Sequence, residues 1–113
     1  MKSPRISNKS FSELYGEGWR RIHELQRQVN KQLESVPRDG ELPYDVSHSE
    51  LCKILAQLPA EFDDYVLCLP GRGSNTAIYD GRLVSVLKFI VIARRLRRPL
   101  SNREIASLLH HPT

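Results

Sequence analysis

The run Leu83-Val-Ser-Val-Leu-Lys-Phe-Ile-Val-Ile-Ala93 limits the architecture more than any other stretch of the chain. It is rich in β-branched residues and would suit a strand on propensity alone. It does not alternate, however, and it joins Ala77, Ile78 and Tyr79 on one side to Leu96 on the other with Gly81 as the sole breaker. An uninterrupted apolar length of that order favours a helix, expected over 76–97. On a helical wheel its apolar side chains point in almost every direction, leaving a narrow polar strip at Ser85 and Lys88, so the helix has to be surrounded by protein. A chain of 113 residues has little other material for this. The economical expectation is a symmetric homodimer, with Leu83, Val84, Leu87, Ile90 and Val91 as the self-association residues.

Three further segments start alike: Ser10-Phe-Ser-Glu13, Ser47-His-Ser-Glu50 and Ser101-Asn-Arg-Glu104. In each, the serine hydroxyl can accept the amide three residues on while the glutamate reaches back to the serine amide, which marks a helix start. Together these signals predict an all-α fold. The first helix is expected from Phe11 to Val36, stopped by Pro37 and Gly40. Phe11, Leu14, Tyr15, Trp19, Ile22, Leu25, Val29, Leu33 and Val36 fall within an arc of roughly 140°, opposite a charged face. Gly16 and Gly18 cost such a helix about 1 kcal/mol each and leave open either close packing or a bend. Shorter helices are expected over 47–57, from Pro59 through Leu67, and over 101–109. The organisation that follows is a flexible N-terminal arm, 1–9, and a single helical domain, 10–113.

Gly71-Arg-Gly-Ser74 raises the question of a phosphate-binding loop. It lacks the spacing and the Lys-Ser/Thr pair of a P-loop, and it follows Pro70 and has Thr76 where a dinucleotide fingerprint needs its third glycine. A hinge with Ser74, Asn75 or Thr76 as helix cap accounts for it more simply. Cys52 and Cys68 lack the spacing of a zinc site and are expected as reduced, buried thiols. Asp63-Asp64 diverge rather than converge, His23 and His48 have no nucleophile or carboxylate arranged beside them, and His110-His111 lack further ligands. No catalytic residue, cofactor or metal is expected, and the chain reads as a non-enzyme. The N-terminus leads into no apolar signal core and no stretch is long enough to span a membrane, so a cytoplasmic protein is expected.

Two surfaces remain as binding candidates. Basic residues are unevenly placed: residues 81–113 carry seven of them against one acidic residue, whereas 47–80 carry two against five. Arg94, Arg95, Arg97 and Arg98 form the densest cluster, and contact with phosphates there defines the alternative reading, a small nucleic-acid-binding regulator. Favourable interaction with a helix C-terminus explains the same arginines without a ligand. The segment Pro99–Leu109 is similar to the first helix of a helix-turn-helix unit, but only four residues follow it, too few for a recognition helix. On the first helix, Tyr15 and Trp19, with Ile22 and His23, are the candidate partner-binding residues, because tryptophan and tyrosine are enriched among interface hot spots.

The overall plan resembles the bacterial quorum-sensing antiactivators of the QslA kind and, more remotely, the TraM kind, which are small all-helical dimers. The resemblance rests on a long amphipathic first helix, the segment LAQLPAEFDDYV at 55–66, the glycine-rich PGRGSNTAIYDGR at 70–82 and the apolar helix after it. It implies a protein that binds the ligand-binding domain of a LuxR-type transcription activator and blocks that activator's dimerisation and DNA binding, by competition between interfaces and without a reaction.

Overall fold

The computed structural model describes residues 5–6, 8–36, 45–69 and 76–109. It shows a mixed α/β protein, which corrects the all-α expectation. In chain order the elements are β1 (Arg5–Ile6), α1 (Phe11–Gly16), β2 (Trp19–Arg21), α2 (Ile22–Glu34), α3 (His48–Ala56), a 3-10 helix (Ala60–Tyr65), β3 (Val66–Leu69), β4 (Thr76–Asp80), α4 (Leu83–Arg95) and α5 (Asn102–Ser107). β3, β4 and β2 form an antiparallel sheet, and the two residues of β1 add a parallel edge, giving the order β1-β3-β4-β2. Arg5–Ile6 thus pairs with Leu67–Cys68 within the segment expected to be an arm.

The expected first helix is two helices with a strand between them. Gly18 adopts φ +105°, a conformation open to glycine and strained for any other residue. The chain turns there, and Trp19–Arg21 runs beside β4, with Trp19 opposite Asp80 and Arg21 opposite Ile78. Gly81 N–H donates to Gly18 O at 2.9 Å, and a Cβ on Gly81 would meet that same oxygen at 2.9 Å. The two glycines therefore allow the closest approach of β2 to the turn that ends β4.

The expected helix over 76–97 divides at the same place. Thr76–Asp80 is a strand, Asp80 Oδ1 accepts the Arg82 N–H at 2.9 Å across the turn, and the helix begins only at Leu83. The short helix expected through Leu67 is a 3-10 turn ending at Tyr65, after which Val66–Leu69 is a strand. Ser10, Ser47 and Ser101 cap their helices as expected, each accepting an amide N–H from the third residue on. Only at Ser101 does the glutamate also reach back, with Glu104 Oε1 accepting the Ser101 N–H at 3.1 Å.

One core joins the helical layer. Leu25, Val29 and Leu33 of α2, Leu51, Ile54 and Leu55 of α3, Phe62 of the 3-10 helix, Ile105 of α5 and six residues of α4 form a continuous buried cluster. Alternation along β4 turns Tyr79 toward this cluster and Ile78, fully buried, to the other face of the sheet. Burial pushes the Tyr79 hydroxyl pKa upward, with the nearby Cys52 and Cys68 adding to the effect. Leu83, Val84, Leu87, Ile90 and Val91 are at most 5% exposed in the single chain. The reason for invoking a second copy was an α4 too apolar to cover alone, and here α2, α3, α5 and the 3-10 helix cover it.

The stretch entering α3 is fixed by a side-chain imitation of a strand pair. Asn30 and Gln26 lie one turn apart on α2. Asn30 Oδ1 accepts the Val46 N–H at 2.8 Å, its Nδ2 donates to Val46 O at 3.2 Å, and Gln26 Nε2 donates to the same oxygen at 3.0 Å. Val46 is 2% exposed, so these amides satisfy backbone groups that water cannot reach. No helix among the described residues is long and apolar enough to cross a membrane.

Candidate protein-binding surface

Ser10 starts α1, and the four-residue spacing of Phe11 and Tyr15 puts both rings on one face, 5.8 Å apart and edge-on at 70°. The turn at Gly18 then brings two successive arginines back to that face. Arg20 stacks over the Tyr15 ring at 3.8 Å from its centroid, and Arg21 over the Phe11 ring at 4.4 Å. Arg20 is further held by Nη1 donating to Tyr15 O at 2.9 Å and Trp19 O at 2.8 Å, with Glu24 at 3.6 Å from its Nε. Tyr15 remains 43% exposed and Trp19 is half-buried. Leu14, buried at 2%, anchors the helix beneath them. The result is a surface of rings and guanidinium planes that pack on one another.

The four partner-binding candidates are not on one helix. Tyr15 lies on α1, Trp19 on β2, and Ile22 and His23 in the first turn of α2. Tyr15 and Trp19 are brought together through Arg20; Ile22 packs on the core, while His23 is exposed. Phe11, Arg20 and Arg21 complete the surface, and sequence reasoning did not select them. The Phe11–Tyr15 spacing was readable, but the arginine stacking depends on the turn at Gly18.

The arginine cluster divides in two. Arg95 makes a two-pronged contact with Glu50, its Nη1 at 2.7 Å from Oε2 and its Nη2 at 2.5 Å from Oε1, and Nη2 also donates to Asp45 O at 3.0 Å. Arg94 Nε lies 3.6 Å from the same carboxylate. The hydrogen bonds from Arg95 hold the Glu50 carboxyl below its ordinary pKa, against the opposing effect of burial. Because Glu50 is committed to α4, it is not available to close the capping box at Ser47. Arg97 and Arg98 are exposed on the turn after α4, where Arg98 N–H donates to Ala93 O at 2.9 Å and Arg97 takes φ 60°.

The nearest approach to a catalytic arrangement is Cys52, whose Sγ lies 3.9 Å from both ring nitrogens of His48 one turn away. Both side chains are exposed, and among the described residues no third group hydrogen-bonds the imidazole, so the pair as described lacks the geometry of an activated nucleophile. Neither cysteine is buried as expected: Cys52 is exposed and Cys68 half-buried. Among the described residues no group of three or more His, Cys, Asp or Glu could hold a metal ion. The glycine hinge at 70–75 and His110-His111 lie outside the described residues. No family model, curated protein or solved structure matches the chain.

Proposed function

We propose that the chain is a protein-binding module that engages its partner through Phe11, Tyr15, Trp19, Arg20 and Arg21. The observation that carries this reading is Tyr15, 43% exposed yet held between the edge of Phe11 and the guanidinium of Arg20. Aromatic and arginine side chains supply most binding energy at protein interfaces, and ordering them beforehand removes part of the entropy cost of association. The partner side of such an interface presents apolar surface for the rings and carbonyl or carboxylate oxygens for Arg21.

A LuxR-type activator is the first partner to try, with competition for its dimerisation surface as the mechanism. The long first helix and the 76–97 helix that suggested that family are both interrupted by strands, so they lend it no support. Affinity purification of the tagged chain from its native cells at moderate salt, after nuclease treatment, would identify the partner, and calorimetry would then compare variants. Tyr15→Ala is expected to weaken binding at least about tenfold, with Trp19→Ala weakening it further. Unchanged affinity in both variants, with the chain folded, would refute the surface. A different stoichiometric protein in place of the activator would retire the antiactivator mechanism and keep the protein-binding reading.

A further inference from the structure

The ends of α3 and α4 and the start of α5 do not close on one another. Between them is a cleft of about 370 Å³ whose lining includes Ile54, Leu58, Ile90, Leu100 and Ile105, with Gln57, Arg94 and Asn102 also contributing. Its interior is aliphatic, and its surroundings are basic. Arg94 is at the wall, while Arg97, Arg98 and Arg103 are exposed on the turn after α4 and the first turn of α5. Glu50 is engaged by Arg94 and Arg95 together. Glu104, the single acidic residue after position 80, is taken up by the Ser101 cap, with Arg98 nearby lowering its pKa further.

The turn carries a second signal. Arg97 holds φ 60° at the position where a helix-ending turn ordinarily has glycine. A left-handed arginine is strained, and the strain keeps a guanidinium where glycine would have none. Leu96 beside it is 52% exposed.

From these features the geometry points to a second docking site, separate from the aromatic surface: the α3–α4–α5 cleft receives an acidic amphipathic helix of a partner protein. About two or three aliphatic or aromatic side chains at helical spacing enter the cleft, and Asp or Glu residues flanking them meet Arg97, Arg98 and Arg103. The aliphatic lining argues against nucleic acid, since it offers no aromatic ring for base stacking and two of the four clustered arginines face Glu50. The acidic 3-10 segment of a second copy, Ala60–Tyr65, keeps Phe62 at 1% exposure and so does not offer it for insertion there.

The test is selection of phage-displayed random helical peptides on the immobilised full chain, followed by fluorescence anisotropy of the enriched peptides. Enriched sequences are expected to carry Leu, Ile or Phe along one helical side with Asp or Glu flanking. The double variant Arg97→Gly/Arg103→Gln is expected to raise their Kd at least about tenfold and Leu100→Asp to abolish binding, with Tyr15→Ala leaving it unchanged. Leu100 is half-buried, so the arginine variants, on exposed positions, keep the test decisive if Leu100→Asp does not fold. Enriched peptides without acidic residues, or a Kd indifferent to the arginine variants, would overturn the proposal. So would a short DNA duplex that displaces the peptide and depends on the same arginines, which would assign the cleft's rim to nucleic acid.

Discussion

Replacing Glu50 by glutamine tests the contact that ties α3 to the end of α4. Glutamine keeps one acceptor oxygen but loses the second bond to Arg95 and the charge that faces Arg94. The Arg95 and Glu50 side chains are 21% and 17% exposed. Exposed ion pairs contribute about 0.2–1 kcal/mol, and breaking a buried one costs about 3–5 kcal/mol. A mostly covered, two-pronged pair falls between, at about 2 kcal/mol. With an unfolding entropy of about 2.1 cal/mol/K per residue, 113 residues give about 0.24 kcal/mol/K, so Tm should drop by about 8 °C. The pH dependence has a definite sign. Arg95 lowers the folded-state pKa of Glu50, so the contribution is fully present above the unfolded carboxylate value, about 4.3, and is lost as pH falls through the depressed folded value. Thermal melts of the wild type and Glu50→Gln, followed by circular dichroism from neutral to acidic pH, should show a gap that closes on acidification. A gap under about 2 °C at neutral pH, or one that does not change with pH, would refute the reasoning.

Asn30→Ala removes both bonds between its amide and the Val46 backbone and is expected to cost about 2 kcal/mol in urea unfolding, with faster hydrogen exchange at the Val46 amide. Arg97→Gly relieves a left-handed arginine and should stabilise the chain by about 1 kcal/mol, raising Tm by about 4 °C. The same substitution is expected to weaken peptide binding at the cleft, so stability and affinity should move in opposite directions.

Helix α3 could be read directly from the sequence. Ser47 supplies a local cap, and Leu51, Ile54 and Leu55 repeat at helical spacing and are all buried. Ser101–Ser107 was legible for the same reason. The strands were not legible because what makes them strands is distant. Trp19–Arg21 is too short to show alternation and becomes a strand by pairing with Thr76–Asp80, some sixty positions along the chain. Its residues also satisfy a helical wheel, so Leu14 and Leu25 appeared to share one helix across Gly18. In the apolar run, Gly81 is visible as the sole breaker, but that it forms with Asp80 a turn dipeptide whose carboxylate caps the bend shows only in the structure. At the candidate surface, Tyr15 and Trp19 were selected from residue type, whereas Arg20 and Arg21 needed the turn at Gly18. Glu50 is marked locally only as the capping-box partner of Ser47, while its actual partner, Arg95, lies far along the chain; Asn30 likewise pairs with the distant Val46, and nothing beside it signals that.

The outer strand of the sheet has a bearing on how the chain behaves among other copies of itself. β2 ends the sheet with three residues, is preceded by a glycine that bends the chain, and has the Trp19 carbonyl occupied by the guanidinium of Arg20. An incoming strand would find a short edge with an acceptor already taken and a charge beside it, features that oppose edge-to-edge pairing. Arg20 thus acts twice, stiffening the aromatic surface and guarding the sheet's open side against aggregation.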